Sequence, residues 1–386
     1  MKWASAISTQ PEATTAIAET AAAVKEELGD QAADLVILFA SPHYRDSMVL
    51  LPSLVRERFP RARLIGCTGG GIIGAGREVE HRPAISLTAA SLPGVQLQPF
   101  HFDLDELPST PAAWHRVVDP SSEPSFLLLP EPFSCDIEQL ISGLDAAYPT
   151  APKVGGVASG GRGAGSNALF LDGEMLRDGV VGLALSGDVV IDTLVAQGCR
   201  PIGTPLLITR CEDNVILELG GQPALTVLRG LFDTLDAHDR ELFRSSLFLG
   251  IQMKDDLIEY RHGDFLIRNM MGINPDRNAV VVGAMLQPYQ AVQFHLRDAE
   301  ASAEDLRKHL DAYCRSGHKP SGALLFSCLG RGEHLYGQPD HDSNLVLSYL
   351  GKLPVGGFFC NGEIGPVGGA TFQHGYTSSF ALLRPR

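Results

Sequence analysis

The sequence predicts an α/β fold: two domains of mixed β-sheet with outer helices, built from repeated strand-helix-strand units that each close in a glycine-rich turn. Three observations lead there. The 386 residues exceed one typical domain of roughly 100–200 residues, so the chain is long enough for about two. Apolar runs of strand length alternate with stretches whose apolar residues recur at helical spacing, the pattern of crossover units with neighbouring parallel strands. The 41 glycines and 25 prolines supply many tight turns between them.

A strand over 3–7 opens the chain, and a helix over 11–28 follows, since Pro11 suits a first helical turn and the alanines favour helix. The first unit starts at Asp34-Leu-Val-Ile-Leu-Phe-Ala-Ser41, continues with Met48, Leu51, Val55 and Phe59 at helical spacing, and ends in Leu64-Ile65-Gly66-Cys67. The second repeats this plan: an apolar run at 126–129, then Ile137, Leu140, Ile141, Leu144 and Tyr148, then Val154-Gly155-Gly156-Val157. Their ends align residue for residue, Phe59-Pro60 through Ile65-Gly66 against Tyr148-Pro149 through Val154-Gly155, and Phe39 precedes Gly66 by the same interval as Leu128 precedes Gly155. A third unit runs from 323–328 through a helix over 343–350 to Val355-Gly356-Gly357 and Cys360, so Val-Gly-Gly recurs at 154 and 355. Strand-like runs at 84–88, 180–185, 189–195 and 206–209 lie between the units. A polar, glycine-bearing stretch at 213–223 puts the domain division at 215/216, giving domains 1–215 and 216–386. Beyond it the pattern predicts a helix over 224–235, strands at 247–252, 265–267, 279–285 and 291–296, and a helix over 302–315 capped by Ser302.

With 45 acidic against 31 basic residues the net charge is −14, which repels nucleic-acid phosphates and anionic lipid headgroups, so neither is expected as a partner. No apolar run approaches the roughly 20 residues that span a bilayer, and no signal peptide is evident. The seven cysteines are scattered and include no CxxC pair, which argues against a disulfide framework or a thiolate zinc site. The expectation is a cytoplasmic protein without cofactor.

Gly69-Gly-Gly71-Ile-Ile-Gly74 fits GxGxxG directly after a strand, but no helix follows and no acidic residue stands about 20 positions on, so a dinucleotide site is not expected. GxxxxGK[ST], GxSxG and HExxH do not occur. Glu333-His334 and Asp340-His341-Asp342 have the composition of a metal site without its ligand spacing, and read better as polar loop residues with Asp342 or Ser343 capping a helix. In Val292-Gln-Phe-His-Leu296, alternation puts the apolar residues on one face and Gln293, His295 and Arg297 on the other. Arg297 at that strand end suits a bidentate carboxylate contact, or else a structural ion pair with Asp298 capping the next turn. Cys360-Asn361-Gly362-Glu363 offers a thiol, an amide and a carboxylate in one turn; Cys328 ends a repeat strand and could lie near it, and His374 is the candidate base for a thiol nucleophile. Burial of both cysteines as small apolar residues is the competing reading.

With these motifs in view, the chain resembles the FIST family, the sensory module of F-box and intracellular signal transduction proteins. The resemblance rests on Ile65-Gly-Cys-Thr-Gly-Gly-Gly71, Val154-Gly-Gly-Val-Ala-Ser-Gly-Gly161, Arg268-Asn-Met-Met-Gly-Ile-Asn-Pro275, Val292 to Asp298, and above all Gly357-Phe-Phe-Cys-Asn-Gly-Glu-Ile-Gly365 with His374-Gly-Tyr-Thr377. It implies FIST N-terminal and C-terminal domains that bind a small ligand, with amino acids or related metabolites the suspected class, and no enzymatic activity. The expected member is stand-alone and signals through a separate protein partner. Candidate ligand-binding residues are Gly66, Cys67, Thr68, Gly155, Gly156, Ser159 and Arg162 in the glycine-rich turns, Asn269, Arg297 and Asp298 in the middle of the chain, and Cys328, Cys360, Asn361 and Glu363 near its end. No catalytic or metal-binding residue is assigned. Two other readings stay open, a protein-recruitment module like the F-box-associated members and a thiol-dependent enzyme using Cys360 or Cys328.

Overall fold

The computed structural model describes residues 1–254, 260 and 263–386. They form two compact units, one of residues 1–195, 306–373 and 377–386, the other of 196–305 and 374–376. The expected linear division at 215/216 falls at the start of strand Val215–Leu219, which pairs with both Cys199–Glu212 and Ala279–Val282 and so binds the two sides of that point together. The compact units are not continuous segments, because the third crossover unit, late in the sequence, returns to the unit that holds the first two.

The first unit contains three six-stranded sheets of one plan. At the centre of each lies a parallel pair: Leu35–Ala40 with Arg63–Thr68, Ser125–Pro130 with Lys153–Gly156, and Gly322–Cys328 with Val355–Cys360. Beside the first strand of each pair runs an antiparallel neighbour, respectively Ile85–Ser91, Val180–Gly187 and Thr377–Arg384, and outside it an edge strand. Beside the second strand lies a hairpin lent by another repeat. Leu169–Leu171 pairs with Arg63–Thr68, Glu363–Val367 with Lys153–Gly156, and Gly71–Gly74 with Val355–Cys360, so the exchange runs in a closed cycle. Gly71–Gly74 turns back into Arg77–Glu80 and not into a helix, which is why the GxGxxG spacing there makes no dinucleotide loop.

The unbroken apolar runs follow from burial on both faces. Leu35, Ile37, Phe39, Leu127, Leu129, Leu324 and Phe326 point into one core shared by all three sheets. The alternate residues Val36, Leu38 and Ala40 pack against helix Ala13–Leu28, which presents Ala16, Ile17, Thr20, Ala21, Val24 and Leu28 at helical spacing. Register also refines the repeat: Gly66 lies opposite Leu38, Gly155 opposite Leu128 and Gly357 opposite Leu325. The third counterpart is therefore Gly357, one residue beyond the position that the recurring Val-Gly-Gly suggests, and the first crossover is one residue longer than the Phe39–Leu128 alignment implies.

The second unit is an antiparallel sheet closed on itself. Cys199–Glu212 pairs with Ala291–Arg297 along its first half and with Val215–Leu219 along its second, and Phe265–Asn274 likewise passes from Leu247–Gln252 to Ala279–Val282. Helix Ala224–Thr234 packs Leu225 and Leu228 onto the enclosed core of Leu249, Val280, Val292, Phe294 and Leu296. The helix expected over 302–315 begins earlier, at Ala299. Its cap is Asp298, whose carboxylate accepts from Ala301 N–H at 3.0 Å, and Ser302 is a buried residue of its first turns.

Candidate functional site

The three glycine-rich turns meet, with Ser159 of the second turn between the other two. Its N–H donates to Thr68 O at 3.1 Å, its Oγ accepts from Gly70 N–H at 2.8 Å, and that hydroxyl donates to Phe359 O. The second and third turns join directly, Val157 N–H to Gly362 O at 2.9 Å and Asn361 N–H to Val157 O at 3.1 Å. Approach this close needs glycine: a Cβ on Gly160, where φ is +91°, would stand 2.3 Å from Pro42 Cγ. The same bonds consume the amides that a ligand carboxylate would use. Gly69 N–H goes to Ala40 O, Ala158 N–H to Pro130 O, Thr68 N–H to Ala168 O, and Gly161 N–H to Asn167 Oδ1. These turns clasp the repeats together; Gly66, Gly155, Gly156 and Ser159 serve that packing, Cys67 and Thr68 are buried, and Arg162 and Asn361 are the exposed members.

Cys328 and Cys360 face each other in register on parallel strands. Cys360 is wholly buried, and its Sγ donates to Ser327 O at 3.2 Å and to Glu363 Oε1 at 3.4 Å. Burial first, and the Glu363 carboxylate second, raise that thiol well above its ordinary range. An enclosed, protonated thiol packs and donates weakly; it is not poised as a nucleophile. Glu363 is buried, and its donors belong to the chain: Thr377 N–H at 3.0 Å and Thr377 Oγ1 at 2.8 Å meet Oε2. Its role is therefore internal, and the acid–base partner of Cys360 is this carboxyl where the sequence suggested His374.

A buried cluster in the same unit escaped the sequence reading. Arg331, 1% exposed, donates through Nε to Asp342 Oδ2 at 2.9 Å, and through Nη2 to Asp342 Oδ1 at 3.2 Å and Tyr336 OH at 2.6 Å. Asp342 also accepts from Ser378 Oγ at 2.7 Å and bonds His341 Nδ1 at 2.9 Å, while the His341 ring stacks on Tyr336. Asp342 is thus an ion-pair partner and not the helix cap that its position suggested. Burial pulls the Arg331 guanidinium down, but the Asp342 carboxylate outweighs it and holds the group above its ordinary range. Burial pushes Asp342 up, but the Arg331 charge and the hydrogen bonds from His341, Arg331 and Ser378 hold it well below the usual carboxylate range. Glu78 completes the cluster, with Oε1 accepting from Ser343 N–H at 2.7 Å. Nothing in the spacing of Glu78, Arg331 and Asp342 connects them, because the hairpin exchange is what brings Glu78 there.

Burial, then the charge of Asp342, push Glu78 up to about 8 from its ordinary 4.5, and burial pushes Glu363 up to about 7. The folded chain keeps these protons at pH values where the unfolded chain has released them. Their stabilising contribution is complete below about pH 4.5 and is lost as the pH rises through about 7 to 8. The thermal midpoint should fall across that window, with Glu78 contributing at most about 1.4 kcal/mol per pH unit. Scanning calorimetry of Glu78→Gln from pH 5 to 9 should give a flatter profile, and an unchanged slope would remove Glu78 as its source.

In the second unit, Asn269 and Arg297 come together around Tyr376. The Arg297 guanidinium lies 5.7 Å from the centre of the Tyr376 ring, and the Tyr376 hydroxyl donates to Asn269 Oδ1 at 2.6 Å. The same ring packs on Phe248 at 4.2 Å. Tyr376 has φ +64°, a left-handed conformation that costs a bulky residue roughly 1–3 kcal/mol and recurs at ligand clamps. The alternation expected along Ala291–Arg297 holds, with Val292, Phe294 and Leu296 inside the closed sheet. Its polar face is covered, however. Gln293 donates to Gly203 O at 2.8 Å and His295 packs against Phe265, so of those three only Arg297 is partly exposed. Asp298 leaves the ligand set, because it holds Arg200 Nε at 2.9 Å besides capping its helix.

Three repeated crossover sheets with exchanged hairpins, and a closed antiparallel sheet bearing an Arg-Tyr-Asn face, define a two-unit α/β protein. Residues 34–222 match the FIST N domain and residues 224–366 the FIST C domain. The chain belongs to the FIST family, whose domains are generally associated with sensing and signal transduction. An uncharacterized protein of Mycobacterium tuberculosis strain H37Rv is 38% identical over 378 residues, 98% of each chain, and one of Mycobacterium bovis is 35% identical over 98% of this chain and 97% of its own. An F-box/LRR-repeat protein of Arabidopsis thaliana is 32% identical over 105 residues, 26% of this chain and 20% of that one. A crystal structure of cyanuric acid hydrolase from A. caulinodans aligns over 100% of this chain and 99% of its own at 9% identity, with a TM-score of 0.34, a level that carries no inference. Among the described residues no helix is long and apolar enough to cross a membrane, and none of the seven cysteines is in a disulfide.

Proposed function

We propose that this protein is a small-ligand-binding sensory protein whose ligand carries a carboxylate, with amino acids or related metabolites the class to test, and that it signals through a separate protein partner. The observation that carries the reading is Tyr376, held left-handed with the Arg297 guanidinium over its ring and Asn269 on its hydroxyl. A guanidinium oriented by an aromatic face suits a planar carboxylate, and the neighbouring amide offers a second polar contact. Thiol catalysis is the weaker alternative, because Cys360 is enclosed and protonated. Arg297→Ala should weaken the ligand by about 2 kcal/mol while leaving the apo midpoint nearly unchanged. A thermal-shift screen against amino acids finds the ligand: at 100 times its dissociation constant it should stabilise the fold by about 2.7 kcal/mol. An equal loss of stability in ligand-free Arg297→Ala would make the residue structural and sink the reading.

The resemblance to part of the Arabidopsis F-box/LRR-repeat protein favours a second reading, a recruitment module that binds another protein. A stoichiometric partner in a pull-down without added metabolite would support recruitment over ligand sensing.

A further inference from the structure

In the second unit a cavity of about 770 Å³ opens between helix Ala224–Thr234, helix Ala237–Ser245 and strand Phe265–Asn274. Its size is that of a small-molecule site, roughly 300–1,000 Å³. Leu228, Phe232, Phe243, Leu247, Met270 and Ile273 line it, so an occupant must present an apolar body. The strand period sets it apart from the Arg297 face. Leu247 and Met270 point to this side, whereas their neighbours Phe248 and Asn269 point to Tyr376.

The mouth is basic in a chain of net charge −14. Among the described residues, Arg229 and Arg244 line it against the single carboxylate of Asp233. Both arginines are exposed, and neither makes an ion pair among the described residues. The guanidiniums of Arg240 and Arg244 both lie over the Phe232 ring, at 5.4 and 5.5 Å from its centre. Arg240 is fixed there through the carbonyls of Phe232 and Asp233, which leaves Arg244 and Arg229 to face a ligand. Arg240 is bonded to neutral carbonyls and keeps its charge over the same ring, so the mouth is net positive and favours an anionic group. An apolar wall with one anchoring charge at its rim is the complement of an amphiphile.

We propose that this cavity binds a soluble long-chain monocarboxylate, its hydrocarbon against Phe232, Leu228 and Met270 and its carboxylate against Arg229 and Arg244. The site goes beyond the Arg297 reading, since it lies on the other face of the same strands and takes another ligand class.

The test is equilibrium binding of dodecanoate, below its aggregation concentration, to the full chain, with dodecanol and phosphatidylglycerol vesicles as the other arms. Dodecanoate should bind one per chain and at least tenfold more tightly than dodecanol. R229A/R244A should erase that preference while leaving dodecanol binding intact, and Ile273→Asp, at an exposed position of the lining, should weaken both. No saturable binding, or equal affinity for the acid and the alcohol in the parent chain, would overturn the proposal. Preference for vesicles over free dodecanoate would replace it with a membrane-surface role. Loss of dodecanoate affinity in Arg297→Ala would show that the two faces are not separate sites, whereas failure of the amino-acid screen leaves this experiment untouched.

Discussion

Arg331→Met should destabilise the protein by about 3–5 kcal/mol, the cost of breaking a buried ion pair and stranding its partner. Methionine fills much of the volume of the arginine stem, so the loss measures charge and hydrogen bonding more than cavity. Asp342 is 2% exposed and receives two of its contacts from that guanidinium. Without Arg331 the carboxylate keeps only Ser378 and His341, and its charge faces Glu78 with no buried cation to offset it. Two responses are then open to it, protonation or local opening, and both lower stability at neutral pH. The pair Arg331→Met with Asp342→Asn should recover part of the loss, because the stranded charge is gone. A double-mutant cycle by urea denaturation reads the coupling, expected at more than 1 kcal/mol. A single variant within 1 kcal/mol of the parent would mean that the buried pair holds nothing together. Arg331 Nη1 is buried without a hydrogen-bond partner among the described residues, so part of the native cost is already present before any substitution.

What the sequence revealed, and what it hid, follows from the range of the interactions. The crossover units were legible because Leu35–Ala40 and its counterparts are buried on both faces, and two-sided burial writes an unbroken apolar run. The hairpin exchange was not legible. Gly71–Gly74 looks like any short glycine-rich strand, and nothing local says that it pairs with Val355–Cys360 in another repeat. The Glu78, Arg331 and Asp342 cluster is invisible for the same reason, since it exists only after that exchange. Alternation along Ala291–Arg297 correctly separated Arg297 from the core, whereas period alone could not say that Gln293 and His295 would be covered. Asn269 and Arg297 were named as candidates, but Tyr376 entered only inside a family block. Its importance lies in a left-handed φ that no residue pattern spells out. Most amides of the turns are already committed within the clasp, those of Thr68, Gly69, Gly70, Val157, Ala158, Ser159, Gly161 and Asn361 each having an acceptor there.

The glycines opposite the parallel partner strands give the sharpest test of the repeat. A Cβ on Gly66, Gly155 or Gly357 would stand 1.9 Å from the carbonyl oxygen of Leu38, Leu128 or Leu325 respectively, one contact made three times over. The clash is with backbone at the centre of a sheet, so no rotamer change relieves it, and the strands must separate or the register must slip. Gly155→Ala should therefore cost about 3 kcal/mol or more, a large share of the 5–15 kcal/mol that typically separates folded from unfolded domains. Gly66→Ala should behave alike, because the environment is the same. Gly163 is the control: a Cβ there meets nothing within 4 Å, so Gly163→Ala should leave the urea midpoint nearly unchanged. Urea denaturation of the three variants side by side decides the matter. If Gly155→Ala unfolds at the same urea concentration as Gly163→Ala, the close approach of the paired strands is wrong, and with it the three-fold equivalence of the crossover units.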